Sequence, residues 1–137
     1  MTMSALVQPS AAGTVLTVDD SPAVRRLVRA CMGAIGFEVV EAGDGAAALR
    51  LLRRRLVDLI ITDINMPGMD GYRLIEAVRE GLGDASTPIL VLSSEDSPAK
   101  AERAHAAGAS AWLAKPFTSA ALVGAVERLL DRARRSA

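Results

Sequence analysis

Polar side chains that could do chemistry follow several apolar, β-branched runs of this chain directly. They are Asp19, Asp20, Asp63, Ser93 and Lys115. The run that ends at Asp63 is typical of a buried strand, and the Asn, Pro and Gly residues after it indicate a loop. The simplest interpretation of Asp63 is an Asx turn, in which the side chain bonds its own backbone. The other polar residues favour a shared site instead.

Carboxylates, an amine and a hydroxyl brought together would suit phosphoryl transfer. Two like charges about 4 Å apart repel by about 4 kcal/mol at an effective dielectric near 20, so Asp19, Asp20 and Asp63 need a cation. Mg²⁺ prefers oxygen ligands and keeps several waters, so we expect Asp20, Asp63 and a loop carbonyl to bind it, with Asp19 reaching it through water. Lys115 adds positive charge and Ser93 a hydroxyl donor, which together position and neutralise a phosphoryl group. Asp63 is the predicted nucleophile.

An alternation of strands and helices is predicted to position these residues. The predicted strands span residues 14–18, 37–41, 58–63, 88–92 and 111–114. The predicted helices span about residues 22–35, 45–55, 71–80, 97–107 and 119–134. This α/β pattern predicts a doubly wound, five-stranded parallel sheet with helices on both faces, in three layers. The residues that follow parallel strands share one edge of the sheet, where open α/β sheets bind ligands.

Length and composition indicate one compact domain. The 137 residues are 50% apolar and 23% charged, which suits a single core. We expect a flexible N-terminal tail at residues 1–13, the domain at 14–134 and a C-terminal end at 135–137. The start has no signal-peptide pattern and no apolar run could span a membrane, so a cytoplasmic protein is expected. The 16 basic and 16 acidic side chains balance, which argues against nucleic acid or a membrane as partner.

The single cysteine and the single histidine are not predicted to do chemistry. One cysteine excludes an internal disulfide and a Cys-based metal site. Cys31 shares a helical apolar stripe with Val24 and Leu27, so it is predicted to lie in the core. His105 falls on the polar side of a predicted helix, so we expect it to be solvated.

Over about residues 14–134 the chain resembles the receiver domain of bacterial two-component response regulators. The residues that carry the resemblance are the pair Asp19-Asp20, the segment Asp63–Gly71, Ser93 and the pair Lys115-Pro116. The resemblance implies a flavodoxin-like sheet with strand order 2-1-3-4-5. It also implies that a histidine kinase phosphorylates Asp63, with the main-chain oxygen of Asn65 among the Mg²⁺ ligands. Such a domain catalyses its own phosphorylation and dephosphorylation and is not otherwise an enzyme.

The resemblance further implies a conformational switch. Lys115 would pair with the phosphoryl group, aimed inward by a cis peptide bond before Pro116, and Ser93 would move to bond a phosphoryl oxygen. Trp112 stands where the family more often has a Tyr or Phe that turns inward on activation; its alternative role is local packing. The helix at 97–107 is rich in alanine and has little to bury, so we expect it to be the loosest element.

Two further positions bear on the lifetime of the acyl phosphate. Asn65 and Glu95 match the positions that tune this lifetime in the family, and we predict a short one. Together with the single domain they suggest a chemotaxis-type regulator whose partner is a flagellar motor switch protein. A single-domain phosphorelay shuttle, which passes its phosphoryl group to a histidine phosphotransfer protein, has the same features and stays open as the alternative.

Two other classes of protein fit parts of the sequence. Gly43-Asp44-Gly45 and the alanines after it match a dinucleotide-binding fingerprint, with Asp63 20 residues beyond Gly43 as a ribose ligand. That reading leaves Ser93 and Lys115 without a role. An aspartyl phosphohydrolase would use the same acids, but it usually has a carboxylate where this chain has Asn65. No helix-turn-helix pattern follows the last predicted helix, so DNA binding is not expected.

Overall fold

The computed structural model describes residues 12–95 and 97–136, so most of the predicted tail, residues 1–11, lies outside the described residues. The described residues form one five-stranded sheet. Its strands are β1 (Thr14–Val18), β2 (Glu38–Ala42), β3 (Leu59–Asp63), β4 (Ile89–Ser93) and β5 (Ala111–Ala114). The order is β2-β1-β3-β4-β5 and every neighbouring pair is parallel, which confirms the predicted fold.

Five α-helices connect and follow the strands within the described residues. They are α1 (Pro22–Ala34), α2 (Gly45–Leu52), α3 (Gly71–Glu76), α4 (Pro98–Ala107) and α5 (Ser119–Ser136). A π-helical turn, Ala77–Gly81, continues α3. Each of the first four helices begins after a side chain that accepts a backbone N–H of the first turn, which stabilises that helix end. These N-caps are Ser21, Asp44, Asp70 and Ser97.

The helices cover both faces of the sheet, as predicted. Ile60 and Val91 pack with buried residues of α2, α3 and α4, such as Leu49 and Ile75. Their sequence neighbours on the strands point to the opposite face, because side chains alternate along a strand. There α1 and α5 contribute the buried side chains of Val28, Met32, Leu122 and Val126. Every residue of β3 and of β4 is buried, so the two strands form the centre of the molecule.

Local details differ from the expectations. Leu27 was predicted to face the core, but it is 43% exposed. The buried stripe of α1 instead runs through Val28, Cys31 and Met32, and Leu27 lies beyond its edge. Helix α2 ends at Leu52, three residues before the predicted end. There the N–H of Arg54 donates to the carbonyl oxygen of Leu51, three residues back, in a tighter turn than the α-helical one.

The expectations for Cys31 and His105 are confirmed. Cys31 is buried, and its thiol donates to the hydroxyl of Ser119 at 3.5 Å. His105 is exposed. In α4, all of whose residues are described, only Ala104 is buried. None of the described helices has the length and apolar character needed to cross a bilayer.

Candidate functional site

The carboxyl edge of the sheet brings the three predicted acids together. Asp19 follows β1 directly and Asp20 comes next, whereas Asp63 is the last residue of β3, the neighbour of β1. Each acid offers one carboxylate oxygen, and these oxygens all lie within 4.8 Å of one another. Asp19 and Asp63 are buried and Asp20 is exposed. The cluster is therefore reached from solvent on the side of Asp20.

Lys115 lies against two of these acids. It follows β5, and its ammonium is 2.9 Å from Oδ2 of Asp19 and 3.5 Å from Oδ2 of Asp63. Its main-chain N–H donates to the carbonyl oxygen of Ser93 at 2.7 Å, which ties the end of β5 to the end of β4. The peptide bond between Lys115 and Pro116 is cis. Lys115 thus places a positive charge between two buried carboxylates.

The two carboxylate oxygens of Asp63 have different surroundings. Oδ1 accepts the main-chain N–H of the next residue, Ile64, at 2.8 Å, so the side chain bonds its own backbone at the strand end. Oδ2 faces Lys115. Burial is the largest effect on the pKa of Asp63 and raises it. The ammonium of Lys115 lowers this pKa, as do the N–H groups of Ile64 and Asn65, whereas the negative charge of Asp19 raises it further. Asp63 keeps one oxygen directed into the cluster.

A close backbone contact holds the loop that follows Asp63. The N–H of Gly71 donates to the carbonyl oxygen of Ile64 at 2.8 Å. A Cβ atom at Gly71 would lie 2.3 Å from the carbonyl oxygen of Asp63 and 2.7 Å from Cα of Ile64. Asp70 caps α3 by accepting the N–H of Arg73 at 2.9 Å. The loop that leaves β3 at Asp63 therefore comes back at Gly71 to pack against the end of the same strand.

Ser93, Glu95 and Asn65 form a second set of contacts beside the acids. Ser93 is buried, and its hydroxyl accepts the N–H of Glu95 at 3.1 Å. The side-chain amide of Asn65 donates to Oε1 of Glu95 at 3.1 Å. The other carboxylate oxygen of Glu95 pairs with the ammonium of Lys100. Asn65 and Glu95, the two residues predicted to tune the acyl-phosphate lifetime, therefore contact each other, and Glu95 also contacts Lys100.

Trp112 lies on β5, beside α4. It is partly buried and packs against the core cluster on the α2, α3 and α4 side of the sheet. A small cavity of about 90 Å³ has walls that include Trp112, Ala101 and Ala104. Any movement of α4 would change the surroundings of the indole, which is compatible with both predicted roles of Trp112.

Two residues near the site had not been singled out. Arg25 donates to the main-chain oxygen of Asp19 at 2.6 Å and pairs with Glu41 at 3.0 Å, so it fixes the backbone of an acid in the cluster. No motif in the sequence indicated it. The second residue is Lys100. The sequence did mark it as unusual, because it is a cation in the first turn of a helix, where anions are favoured.

Arginines of α1 also affect Glu41. Hydrogen bonding to Arg29, and next to Arg25, lowers the pKa of Glu41 despite its partial burial.

The glycine-rich turn after β2 is used for packing. Asp44 caps α2 by accepting the N–H of Ala47 at 2.8 Å. A Cβ atom at Gly45 would lie 2.9 Å from Sδ of Met69, so the glycine gives room for the loop after β3. These contacts match the alternative of a turn that opens a helix, which leaves the dinucleotide-binding interpretation without support from the geometry.

Comparisons with known proteins agree with one another. The family model for the response regulator receiver domain matches residues 15–127. Chemotaxis protein CheY-3 of Vibrio cholerae serotype O1 is 34% identical over 119 residues, which are 86% of this chain and 92% of that protein. The solved structure of chemotaxis response regulator CheY4 of Vibrio cholerae is 40% identical, with a TM-score of 0.81 over 85% of this chain and 97% of that one. Sensor histidine kinase RcsC of Salmonella typhi is 34% identical over 122 residues; the match covers 89% of this chain but 13% of that kinase.

Proposed function

The chain belongs to the response regulator receiver domain family, a family of two-component signalling domains, and we propose that Asp63 is its phosphoacceptor. In this proposal residues 14–134 are the domain that takes a phosphoryl group from the phosphohistidine of a histidine kinase. The observation that carries the proposal is the position of the Asp63 carboxylate beside Lys115 and Asp19. Its Oδ2 faces the ammonium of Lys115 in a buried cluster with Asp19.

The reaction needs few groups beyond those present. A carboxylate oxygen of Asp63 attacks phosphorus, the phosphorus–nitrogen bond breaks, and the imidazole of the kinase leaves with the electron pair. The ammonium of Lys115 then neutralises part of the charge on the phosphoryl oxygens, which is the main form of catalysis in such transfers. The product is an acyl phosphate on Asp63. The domain thus catalyses only its own phosphorylation and, with water as acceptor, its own dephosphorylation.

The acid cluster suits Mg²⁺. Three carboxylates with oxygens within 4.8 Å of one another are a hard-oxygen donor set, and together they outweigh the charge of Lys115. Asp20, Asp63 and the main-chain oxygen of Asn65 would hold the ion, with Asp19 reaching it through water. When bound, the ion would supply positive charge to the carboxylates and the phosphoryl oxygens.

Phosphorylation is proposed to change the arrangement around Ser93. The hydroxyl of Ser93 turns to donate to a phosphoryl oxygen, and the added charge of about −1.5 to −2 biases α4 and Trp112 between two arrangements. Asn65 and Glu95 tune the lifetime of the acyl phosphate. The proposed rearrangement of Ser93 and α4 is supported by the burial of Ser93 and by the single buried residue of α4.

Chemotaxis is the proposed pathway. The support is the similarity to chemotaxis proteins over most of both chains, as with CheY-3. The proposed partners are a histidine kinase and, for output, a flagellar motor switch protein, both met in the cytoplasm. The test is the affinity of the chain for a purified motor switch protein with and without phosphorylation. An affinity that phosphorylation leaves unchanged would contradict this pathway.

The test of phosphoacceptor function is a mass measurement. The chain is incubated with acetyl phosphate and Mg²⁺, and its intact mass is compared with that of Asp63→Asn. Asp131→Asn is the matched control, because Asp131 lies exposed on α5 and pairs only with Arg135 among the described residues. The wild type and the control should gain one phosphoryl group and Asp63→Asn none. Equal labelling of Asp63→Asn, or an unlabelled wild type, would overturn the proposal.

A further inference from the structure

Lys100 occupies a position where helix stability does not favour a cation. Helix α4 begins at Pro98 after the cap Ser97, so Lys100 is the third helical residue. The free N–H groups of the first turn make this end positive, and glutamate or glutamine is the usual partner of a serine cap at this position. A residue that breaks a local rule without a local gain points to a role elsewhere.

The side chain of Lys100 ends a continuous series of polar contacts. Its ammonium pairs with the carboxylate of Glu95. The other oxygen of that carboxylate accepts the amide of Asn65, two residues beyond Asp63. The main-chain N–H of Glu95 donates to the hydroxyl of Ser93. The series connects the loop after Asp63, the end of β4 and the first turn of α4.

The other contacts of α4 involve short apolar side chains and one further charged residue. Ala104 is its buried residue and Ala107 packs against the same core cluster, so the apolar packing of this helix uses small side chains. The guanidinium of Arg103 lies 4.0 Å from the ring centroid of Tyr72 on α3, a second contact of a charged α4 side chain with the body of the protein. The two cations are three residues apart and so share one side of the helix. Charged side chains on this side of the helix therefore add to the apolar packing that attaches α4.

We propose that Lys100 is a positioning residue that, through Glu95, holds Ser93 in the unphosphorylated arrangement; this rests on the proposed phosphorylation of Asp63. If Ser93 turns toward a phosphoryl oxygen, the backbone of Glu95 that is bonded to its hydroxyl moves with it. The negative charge on Asp63 also repels the carboxylate of Glu95. The Lys100–Glu95 ion pair is thus made in the resting state and lost in the phosphorylated one. An interaction made in one state shifts the equilibrium toward that state.

The expected effect is small but has a clear signature. The two side chains are 45% and 37% exposed, and ion pairs of that exposure change an equilibrium by about two- to five-fold. Removing the pair should raise the rate of phosphorylation by this factor, because more of the protein then has Ser93 free to move. Hydrolysis starts from the phosphorylated state, where the pair is already lost, so its rate should stay the same.

The experiment compares Lys100→Gln with the wild type. Phosphorylation by limiting acetyl phosphate with Mg²⁺ and hydrolysis after donor removal are both followed by intact mass. Glu102→Gln is the matched control, because it changes an exposed charge on the same helix. We expect Lys100→Gln to be phosphorylated about two- to five-fold faster with unchanged hydrolysis, and Glu102→Gln to match the wild type in both rates.

A double-mutant cycle tests the route through Glu95. In Glu95→Gln the amide contact with Asn65 can persist but the ion pair cannot, so Lys100→Gln should have no further effect there. Salt of about 1 M, where the screening length falls to about 3 Å, should bring the wild type toward Lys100→Gln.

The possible outcomes separate this inference from the proposed function. Equal or slower phosphorylation of Lys100→Gln overturns the positioning role. Hydrolysis accelerated by a similar factor also overturns it, since Lys100 would then act in the phosphorylated state. If the wild type is never labelled at Asp63, the proposed function fails as well. Labelling at Asp63 with identical rates in the wild type and Lys100→Gln removes only the positioning role.

Discussion

The ammonium of Lys115 lies 2.9 Å from Oδ2 of Asp19 but 3.5 Å from Oδ2 of Asp63. The lysine therefore compensates the charge of Asp19 more closely than that of the proposed phosphoacceptor. Asp63 remains under-compensated, and burial raises its pKa even though Lys115 opposes the rise. Lys115 is thus positioned beside the carboxylate of the proposed phosphoacceptor without neutralising its charge fully.

Replacing Lys115 should separate phosphorylation from metal binding. In Lys115→Gln the phosphoryl oxygens lose a charged donor, so phosphorylation of Asp63 should fall by about ten- to hundred-fold. Mg²⁺ should bind as tightly or more tightly, because the ammonium no longer competes for Asp19. Acetyl phosphate kinetics and calorimetric Mg²⁺ titration measure the two effects, with the exposed Arg134→Gln as control. Weak Mg²⁺ binding with normal phosphorylation would contradict this role.

Ser93 should couple phosphorylation to the rest of the molecule. Trp112 is the single tryptophan of the chain, so fluorescence reports one site. In the wild type we expect the emission of Trp112 to change on phosphorylation. In Ser93→Ala mass spectrometry should still detect the phosphoryl group, but the emission change should be lost; Ser93→Thr, which keeps a hydroxyl, should retain it. An unchanged spectrum of fully phosphorylated wild type would remove Trp112 from the switch.

Two glycines near α3 should respond oppositely to alanine. At Gly71 a Cβ would lie 2.3 Å from a main-chain oxygen, so Gly71→Ala should destabilise the fold by about 3 kcal/mol or more through backbone displacement. At Gly81 the added Cβ has no atom within 4 Å among the described residues outside its own helix backbone and chain neighbours. Gly81→Ala should be neutral or stabilise by up to about 1 kcal/mol, since alanine favours helix. Urea unfolding measures both, and equal stabilities would show that the loop after Asp63 can shift freely.

Asp84 should stabilise the fold above acidic pH. Burial alone would raise its pKa, but hydrogen bonds from Thr87, at 2.5 Å and 3.0 Å, and from Ser86, at 3.0 Å, outweigh burial and lower it. A lowered folded pKa means that this stabilisation is full above the unfolded value of about 3.9 and is lost as the pH falls through the folded value.

Urea unfolding over a pH series tests this contribution. Asp84→Asn should be about 1 kcal/mol less stable than the wild type at neutral pH, because an amide replaces one acceptor oxygen. The difference should shrink as the pH drops below about 3.9. Asp131→Asn, at an exposed ion pair on α5, should show little effect. A difference that persists unchanged in acid would mean that the carboxylate charge is not its source.

The element order and the site edge could be predicted because they depend on local patterns. Apolar runs, helix caps such as Ser21 and Ser97, and the alternation of strands with helices are read within a few residues. Parallel strands then bring Asp19, Asp63 and Ser93 to one edge, whatever the details of packing. Errors arose where neighbours in space decide, as with Leu27, whose exposure depends on how α1 sits on the sheet.

By itself, then, the sequence determined the α/β architecture and which polar residues follow the strands, since both depend on short-range periodicity and chain direction. Only the tertiary structure decided which atoms meet: Lys115 with Asp19, Arg25 with the Asp19 carbonyl oxygen, and Glu95 with Asn65. These contacts join residues from different elements. Their formation depends on strand register, helix placement and side-chain reach, which spacing along the chain does not specify.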